Sequence, residues 1–182
     1  MRSMALCKSV RCVRGWGLTF LCVYVLVFVL AACVTIQQPS PVYRIYNTKA
    51  GIHYWTASET EKNSLQGQPD YQSEGVAFRA YTSKVFGSVP VYRFYNTTNG
   101  AHFYTISEQE KSRVEQTMPQ YRYEGIVFYA YATKVWGTLP VYRFYNTGSG
   151  GHFYTTSEAE RSSILKTQPA FKDEGIQFYI NQ

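Results

Sequence analysis

Three histidines occur in the chain, His53, His102 and His152, and all three stand in the same surroundings. The segment PVYRIYNTKAGIHYWTASETE (41–61) returns as PVYRFYNTTNGAHFYTISEQE (90–110) and as PVYRFYNTGSGGHFYTTSEAE (140–160). An imidazole beside a tyrosine and an asparagine suits sugar recognition. The ring face stacks on pyranose C–H groups while amide and imidazole bond hydroxyls. The ligand-binding candidates are Tyr46, Asn47, His53 and Trp55 in the first copy, where Trp55 replaces a tyrosine. They are Tyr95, Asn96 and His102 in the second, and Tyr145, Asn146 and His152 in the third. The same residues have a plainer use, as interlocking core tyrosines, turn asparagines and histidines that bond their own hairpin or a neighbouring copy. A third arrangement would bring the imidazoles together on a common axis, since zinc accepts three of them. No local ligand spacing supports it, so no metal and no cofactor is assigned.

Charges recur with the same regularity. Arg44, Arg93 and Arg143 are matched in number by Glu74, Glu124 and Glu174, which predicts an ion pair within or between copies. Such a pair specifies packing more than it stabilises. Gly75, Gly125 and Gly175, each following that glutamate, suit a bulge or a close backbone approach. Catalysis is disfavoured. Every special residue occurs three times, whereas a catalytic site usually needs one asymmetric constellation. The serines near the histidines form no nucleophile motif. Paired acids of glycosidase type are conceivable, but capping and ion pairing already explain the recurrent glutamates. The chain is expected not to be an enzyme.

The elements that would position these residues follow from one copy. Val91-Tyr92-Arg93-Phe94-Tyr95 is aromatic and β-branched, as strands are. Asn96 to Gly100 forms a turn with Gly100 free to take positive φ. His102-Phe103-Tyr104-Thr105 resumes as a second strand. Ser107 with Glu110, like Ser58 with Glu61 and Ser157 with Glu160, is a capping box that starts a short helix. Leu65, Val114 and Ile164 are its inward residues. A third strand follows, in which Ile126, Phe128 and Ala130 alternate onto one face, as do Val76, Phe78 and Ala80.

Spacings of 49 residues from Pro41 to Pro90 and 50 from Pro90 to Pro140 mark a repeat architecture whose units cannot bury their apolar faces alone. The fold class is therefore mainly β with short helices (α+β): three hairpin–helix–strand repeats, 41–89, 90–139 and 140–182, in a single domain. An open solenoid needs polar caps at its ends, and none is present. Closure into a pseudo-threefold ring, the last strand pairing with the first strand of copy one, is expected. A β-trefoil-like arrangement is the alternative, although its all-β unit leaves the capping boxes unexplained.

The first 32 residues have a different character. Arg2, Lys8, Arg11 and Arg14 precede the apolar run GLTFLCVYVLVFVLAA (17–32), which reads as a secretory signal. Leu30-Ala31-Ala32-Cys33 resembles the lipobox of bacterial lipoproteins, which implies cleavage before Cys33 and lipidation of its thiol. An uncleaved membrane anchor and a conventionally cleaved signal are the alternatives, and all three place the body outside the cytoplasmic membrane. Residues 33–40 then form the lipidated cysteine and a polar, Pro-bearing tether. Val34 after the cysteine implies the outer membrane if the host is Gram-negative.

Four of the eighteen Lys and Arg residues lie in this leader, leaving fourteen against twelve acids in the body. With no basic run left, nucleic acid loses its electrostatic footprint as a partner. All four cysteines lie at or before Cys33, so no disulfide can hold the body.

The words VYRFYN, HFYT, S-E-x-E and E-G-[IV]-x-F, three to a domain over 41–182, resemble a bacterial family of unknown function. That domain is often appended to secreted peptidases and cell-wall hydrolases. The resemblance implies an accessory, surface-associated module. Together with the residues it leads to a non-catalytic, lipid-anchored envelope protein that binds carbohydrate or a cell-wall polymer through aromatic sites. The alternative is a structural or protein-interaction lipoprotein, whose partner would be another envelope protein.

Overall fold

The aromatic, β-branched segments form strands and the capped segments form helices, in the order strand, strand, helix, strand in each of the three units. A computed structural model describes residues 37–182. The signal segment 1–32, Cys33 and the start of the tether lie outside the described residues. The first unit comprises β1 (Ser40–Asn47), β2 (Ile52–Thr56), α1 (Glu59–Gln66) and β3 (Tyr71–Ala80). The second comprises β4 (Val89–Asn96), β5 (His102–Thr105), α2 (Glu108–Thr117) and β6 (Tyr121–Ala130). The third comprises β7 (Thr138–Asn146), β8 (Gly151–Thr155), α3 (Glu158–Thr167) and β9 (Phe171–Asn181). The protein is thus mainly β with three short helices among the described residues, and none of these is long and apolar enough to cross a membrane.

Local chemistry sets the boundaries. Gly51, Gly100 and Gly150 close the hairpin turns at φ of 67°, 76° and 69°, a region an L side chain rarely enters. Ser58, Ser107 and Ser157 cap the helices, each accepting from the backbone N–H of the glutamate three residues on. Gly75, Gly125 and Gly175 also have positive φ, and the pairing of β1 with β3 and of β4 with β6 shifts register beside them. These shifts correct the expected alternation. Phe78 and Ala80 are buried, but Val76 is 55% exposed and Ile126 48%, because the bulge turns them away from the core face.

The sheets are open and do not close into a ring. One runs β2-β1-β3-β9-β7-β8 and the other β5-β4-β6. The physical reason is that β1 is already paired on both edges, with β2 and with β3, and has none left for β9. The last strand instead meets β3 through one pair, Arg79 with Asn181. The three-stranded sheet touches the other through isolated bridges, Tyr81 with Tyr129 and Tyr131 with Tyr179. Among the described residues, nine strands with a helix inside every unit also differ from the all-β unit of the β-trefoil-like alternative.

Corresponding residues of the three units fill one core: Val42, Val91 and Val141; Phe78, Phe128 and Phe178; Trp55, Tyr104 and Tyr154. Two hydroxyls bind its centre together. Tyr104 Oη accepts from Trp55 N at 2.8 Å and donates to Trp55 O at 2.9 Å. Tyr154 Oη does the same for Tyr104, at 2.8 and 3.0 Å. Trp55 carries no hydroxyl with which to extend the series. Each phenol serves a buried N–H and C=O that a strand edge would otherwise leave bare.

Tyr104→Phe should therefore destabilise by about 1–3 kcal/mol, since two buried backbone groups lose their partner. Tyr95→Phe, whose hydroxyl has no such duty, should stay within about 0.5 kcal/mol of the parent. Urea unfolding midpoints of the two variants decide it, and equal midpoints would remove the hydroxyl bridge from the account.

Candidate functional site

Where one unit meets the next, a groove opens between the helix of the first and the hairpin of the second. The groove between units one and two, of about 620 Å³, is lined by Leu65 of α1 and by Tyr95, His102 and Glu124 of the second unit. Between units two and three lies a groove of about 690 Å³, with Val114, Tyr145, His152 and Glu174. Between three and one, about 590 Å³, the lining includes Ile164, Tyr46, His53 and Glu74. Asn47, Asn96 and Asn146 line one groove each. The inward helix residues expected from sequence thus form groove walls, and of the three only Val114 is fully buried.

Nine of the ten ligand-binding candidates are brought to these grooves. Trp55 is not among them: it is 2% exposed and belongs to the central core, edge-on to Phe78. The asparagines are partly committed to structure, because each Oδ1 accepts from backbone N–H groups of its own turn, as Asn47 does from Lys49 and Ala50. That leaves the amide N–H₂ as the group with donors to offer. Tyr46 stacks on His53 at 4.7 Å and 30° between planes, while Tyr95 and Tyr145 lie 5.3 Å from His102 and His152.

The ionic frame beneath is the same at each junction. Arg93 Nε lies 2.8 Å from Glu124 of its own unit, and its terminal nitrogens donate to Glu61 of the preceding helix at 3.2 and 3.0 Å. Arg143 spans Glu174 at 2.6 Å and Glu110 at 3.0 and 3.1 Å. Arg44 spans Glu74 at 2.5 Å and Glu160 at 3.2 and 3.4 Å. The expected arginine–glutamate pairing is present within units. The link between units was not legible, because it uses the glutamate of the capping box.

Only half of that box is made. The serine accepts from the glutamate N–H, but the serine N–H itself donates to a preceding threonine: Ser58 to Thr56, Ser107 to Thr105, Ser157 to Thr155. The threonine relieves the carboxylate of its capping duty and frees it for the arginine. The recurrence of Thr two residues before each cap serine was the available signal.

Histidine is largely occupied by this frame. Nε2 of His53, His102 and His152 stands 3.3, 3.4 and 3.6 Å from Glu74, Glu124 and Glu174. The Nδ1 atoms of His102 and His152 are enclosed without a hydrogen-bond partner. These imidazoles therefore offer the groove a ring face. No cluster of three or more His, Cys, Asp or Glu with metal-holding geometry occurs among the described residues. Burial pushes all three histidines down, His152 to about 4 with the Arg143 charge adding to the effect. At Glu124 burial opposes ionisation, but the His102 hydrogen bond and the Arg93 charge outweigh it and hold the carboxyl at about 2.

The sign of the pH dependence follows. A histidine whose folded pKa is depressed is protonated first in the unfolded chain, so its contribution to stability is present above the unfolded value near 6.5 and lost as pH falls toward the folded one. Stability should be flat above about pH 7 and decline between roughly pH 6.5 and 4. In His152→Gln that decline should shrink by roughly 2–3 kcal/mol at pH 4. Urea titrations at stepped pH check it, and an unchanged slope would show that His152 is not held neutral.

The family model described as Domain of unknown function (DUF5648) matches residues 41–181. No curated protein and no solved structure matches the chain.

Proposed function

The chain belongs to the DUF5648 family, a domain of unknown function, and from that premise we propose that it is a non-catalytic envelope protein that binds carbohydrate or a cell-wall polymer in its inter-unit grooves. The observation that carries this reading is the threefold recurrence of one groove, each of about 590–690 Å³ and each lined by a tyrosine, a histidine ring, an asparagine and a glutamate. That size suits a sugar unit or two. The tyrosine and imidazole faces supply apolar stacking, and the asparagine amide and groove carboxylate supply polar contacts for hydroxyls. The three units, taken as a pseudo-threefold set, give three similar sites, so a repeated polymer can bind by avidity where a single site is weak.

The carboxylates support a binding role over a hydrolytic one. A glycosidase acid needs a raised pKa, whereas Glu124 is held at about 2 and Glu61 and Glu110 are also lowered. All of them face an arginine. The export signal over 1–32 and lipidation at Cys33 complete the proposal: the domain is held at the cell envelope, on the outer membrane in a Gram-negative host. A second reading, docking of a protein partner, is favoured by one observation. Val76, Ile126 and Ile176 are 55%, 48% and 47% exposed at matching places on the third strands.

Pull-down of the full chain on purified peptidoglycan and a glycan array, with and without EDTA, tests the proposal. Saturable binding that survives the chelator is expected. It should fall more than about tenfold when Tyr46, Tyr95 and Tyr145 are all changed to Ala, from the loss of three stacking faces. No binding to any polymer would sink the carbohydrate reading in favour of the protein partner.

A further inference from the structure

Two aromatic rings that the fold leaves bare stand on the loops between units. Phe86 is 102% exposed and Trp136 is 99% exposed, in the matching sequences Lys84-Val85-Phe86-Gly87 and Lys134-Val135-Trp136-Gly137. Neither is a loose excursion. Ser88 N–H donates to Val85 O at 3.1 Å, and Ser88 Oγ both donates to Val85 O and accepts from Val85 N–H. Thr138 locks the second turn with the same three bonds. Gly87 and Gly137, each at φ 76°, complete the turns and leave the ring at the tip. Large apolar side chains held rigidly in water contribute nothing to the core and mark an interaction surface.

We propose that Phe86 and Trp136, with Lys84 and Lys134, dock the domain onto the surface of an anionic phospholipid bilayer. Aromatic rings settle at the headgroup level, and lysines beside them meet anionic phosphates. Neither loop contains an acidic residue. What selects a bilayer as the occupant is where the chain enters. Gln37 Oε1 accepts from Ser83 Oγ at 2.7 Å and Pro39 O accepts from Arg79 Nη1 at 2.9 Å, so the tether runs along the base of the Phe86 loop. The Trp136 loop lies at the same end, since Gln182 N–H donates to Gly137 O and Asn181 pairs with both Thr138 and Arg79. Three residues lie between Cys33 and Gln37, so four residue steps give a reach of at most ~14 Å. The docking rests on the lipid-anchored reading, because an acylated Cys33 would hold Gln37, at the base of the Phe86 loop, within that reach of the bilayer. The hairpin turns at Asn47, Asn96 and Asn146 lie at the far ends of β1, β4 and β7, whose starts carry the loops and the tether. Docked in this way, the domain turns its hairpin tips away from the membrane.

Intrinsic fluorescence tests the docking on the full chain, purified from bacterial membranes and reconstituted in phosphatidylcholine–phosphatidylglycerol vesicles. Trp16→Phe removes the leader indole, Trp55 is buried, and a Trp136→Phe sample is subtracted. The expected result is a blue-shifted Trp136 signal, quenched by brominated acyl chains and shielded from aqueous acrylamide. In the lipidated chain, Phe86→Ser combined with Lys84→Ala and Lys134→Ala should raise acrylamide quenching of Trp136 several-fold, since the companion ring and both cationic contacts are withdrawn. A parent chain that floats while Trp136 stays water-exposed overturns the docking and leaves the anchor standing. A parent chain that does not float overturns both.

Discussion

An arginine on the first strand of each unit is the joint from which the rest of the structure hangs. Arg93 and Arg143 are buried to 9% and 7% exposure, where an unpaired guanidinium would be prohibitive. Each is tolerated because its planar fork meets two carboxylates at once, one from its own unit and one from the helix before it. Burial works against the charge on Arg93, and the Glu61 hydrogen bonds and the two carboxylate charges outweigh it. The joint therefore fixes more than it stabilises. It sets the distance between one unit's helix and the next unit's hairpin, and that distance is the width of the groove.

The helix cap and the joint share a carboxylate, which couples local to long-range structure. Were Glu61 to complete its capping box in the usual way, it would turn back toward the serine N–H and leave Arg93 with one partner. Thr56 prevents this by taking that N–H itself while its hydroxyl holds Glu61 at 2.5 Å. A threonine buried to 1% exposure thus has a structural duty that polarity alone would not suggest.

What was legible in the sequence was what each unit decides by itself. Gly100 at positive φ, Ser107 at the cap, the bulge after Glu124 and the Arg93–Glu124 pair all involve neighbours on adjoining strands or turns. What was not legible depends on partners the sequence does not order. The diversion of Glu61 to Arg93 requires knowing that two units abut. Trp55 reads as a surface aromatic from its motif, yet its strand faces the centre, where Tyr104 bonds its backbone. Ring closure failed as an expectation because it counted ends of the chain, whereas pairing counts strand edges, and β1 has none to spare.

The open sheets raise the question of what holds the second unit. Units one and three meet through one strand pair, Arg79 with Asn181, while β4, β5 and β6 form their own sheet, linked to the other by the bridges Tyr81–Tyr129 and Tyr131–Tyr179. The arginine joints set how these units abut. Arg93–Glu61 fastens the second unit to the first and Arg143–Glu110 fastens it to the third, and these two arginines have side chains only 11% and 9% exposed. Arg44–Glu160, which spans the junction of the third unit with the first, has its arginine side chain 25% exposed. Breaking an ion pair is costly where water is excluded, because the stranded charge has no solvent to turn to, and cheap where water reaches it. Backbone pairing is sparse at every junction, the deeper joints flank the second unit, and the two grooves there depend on side-chain charge for their shape.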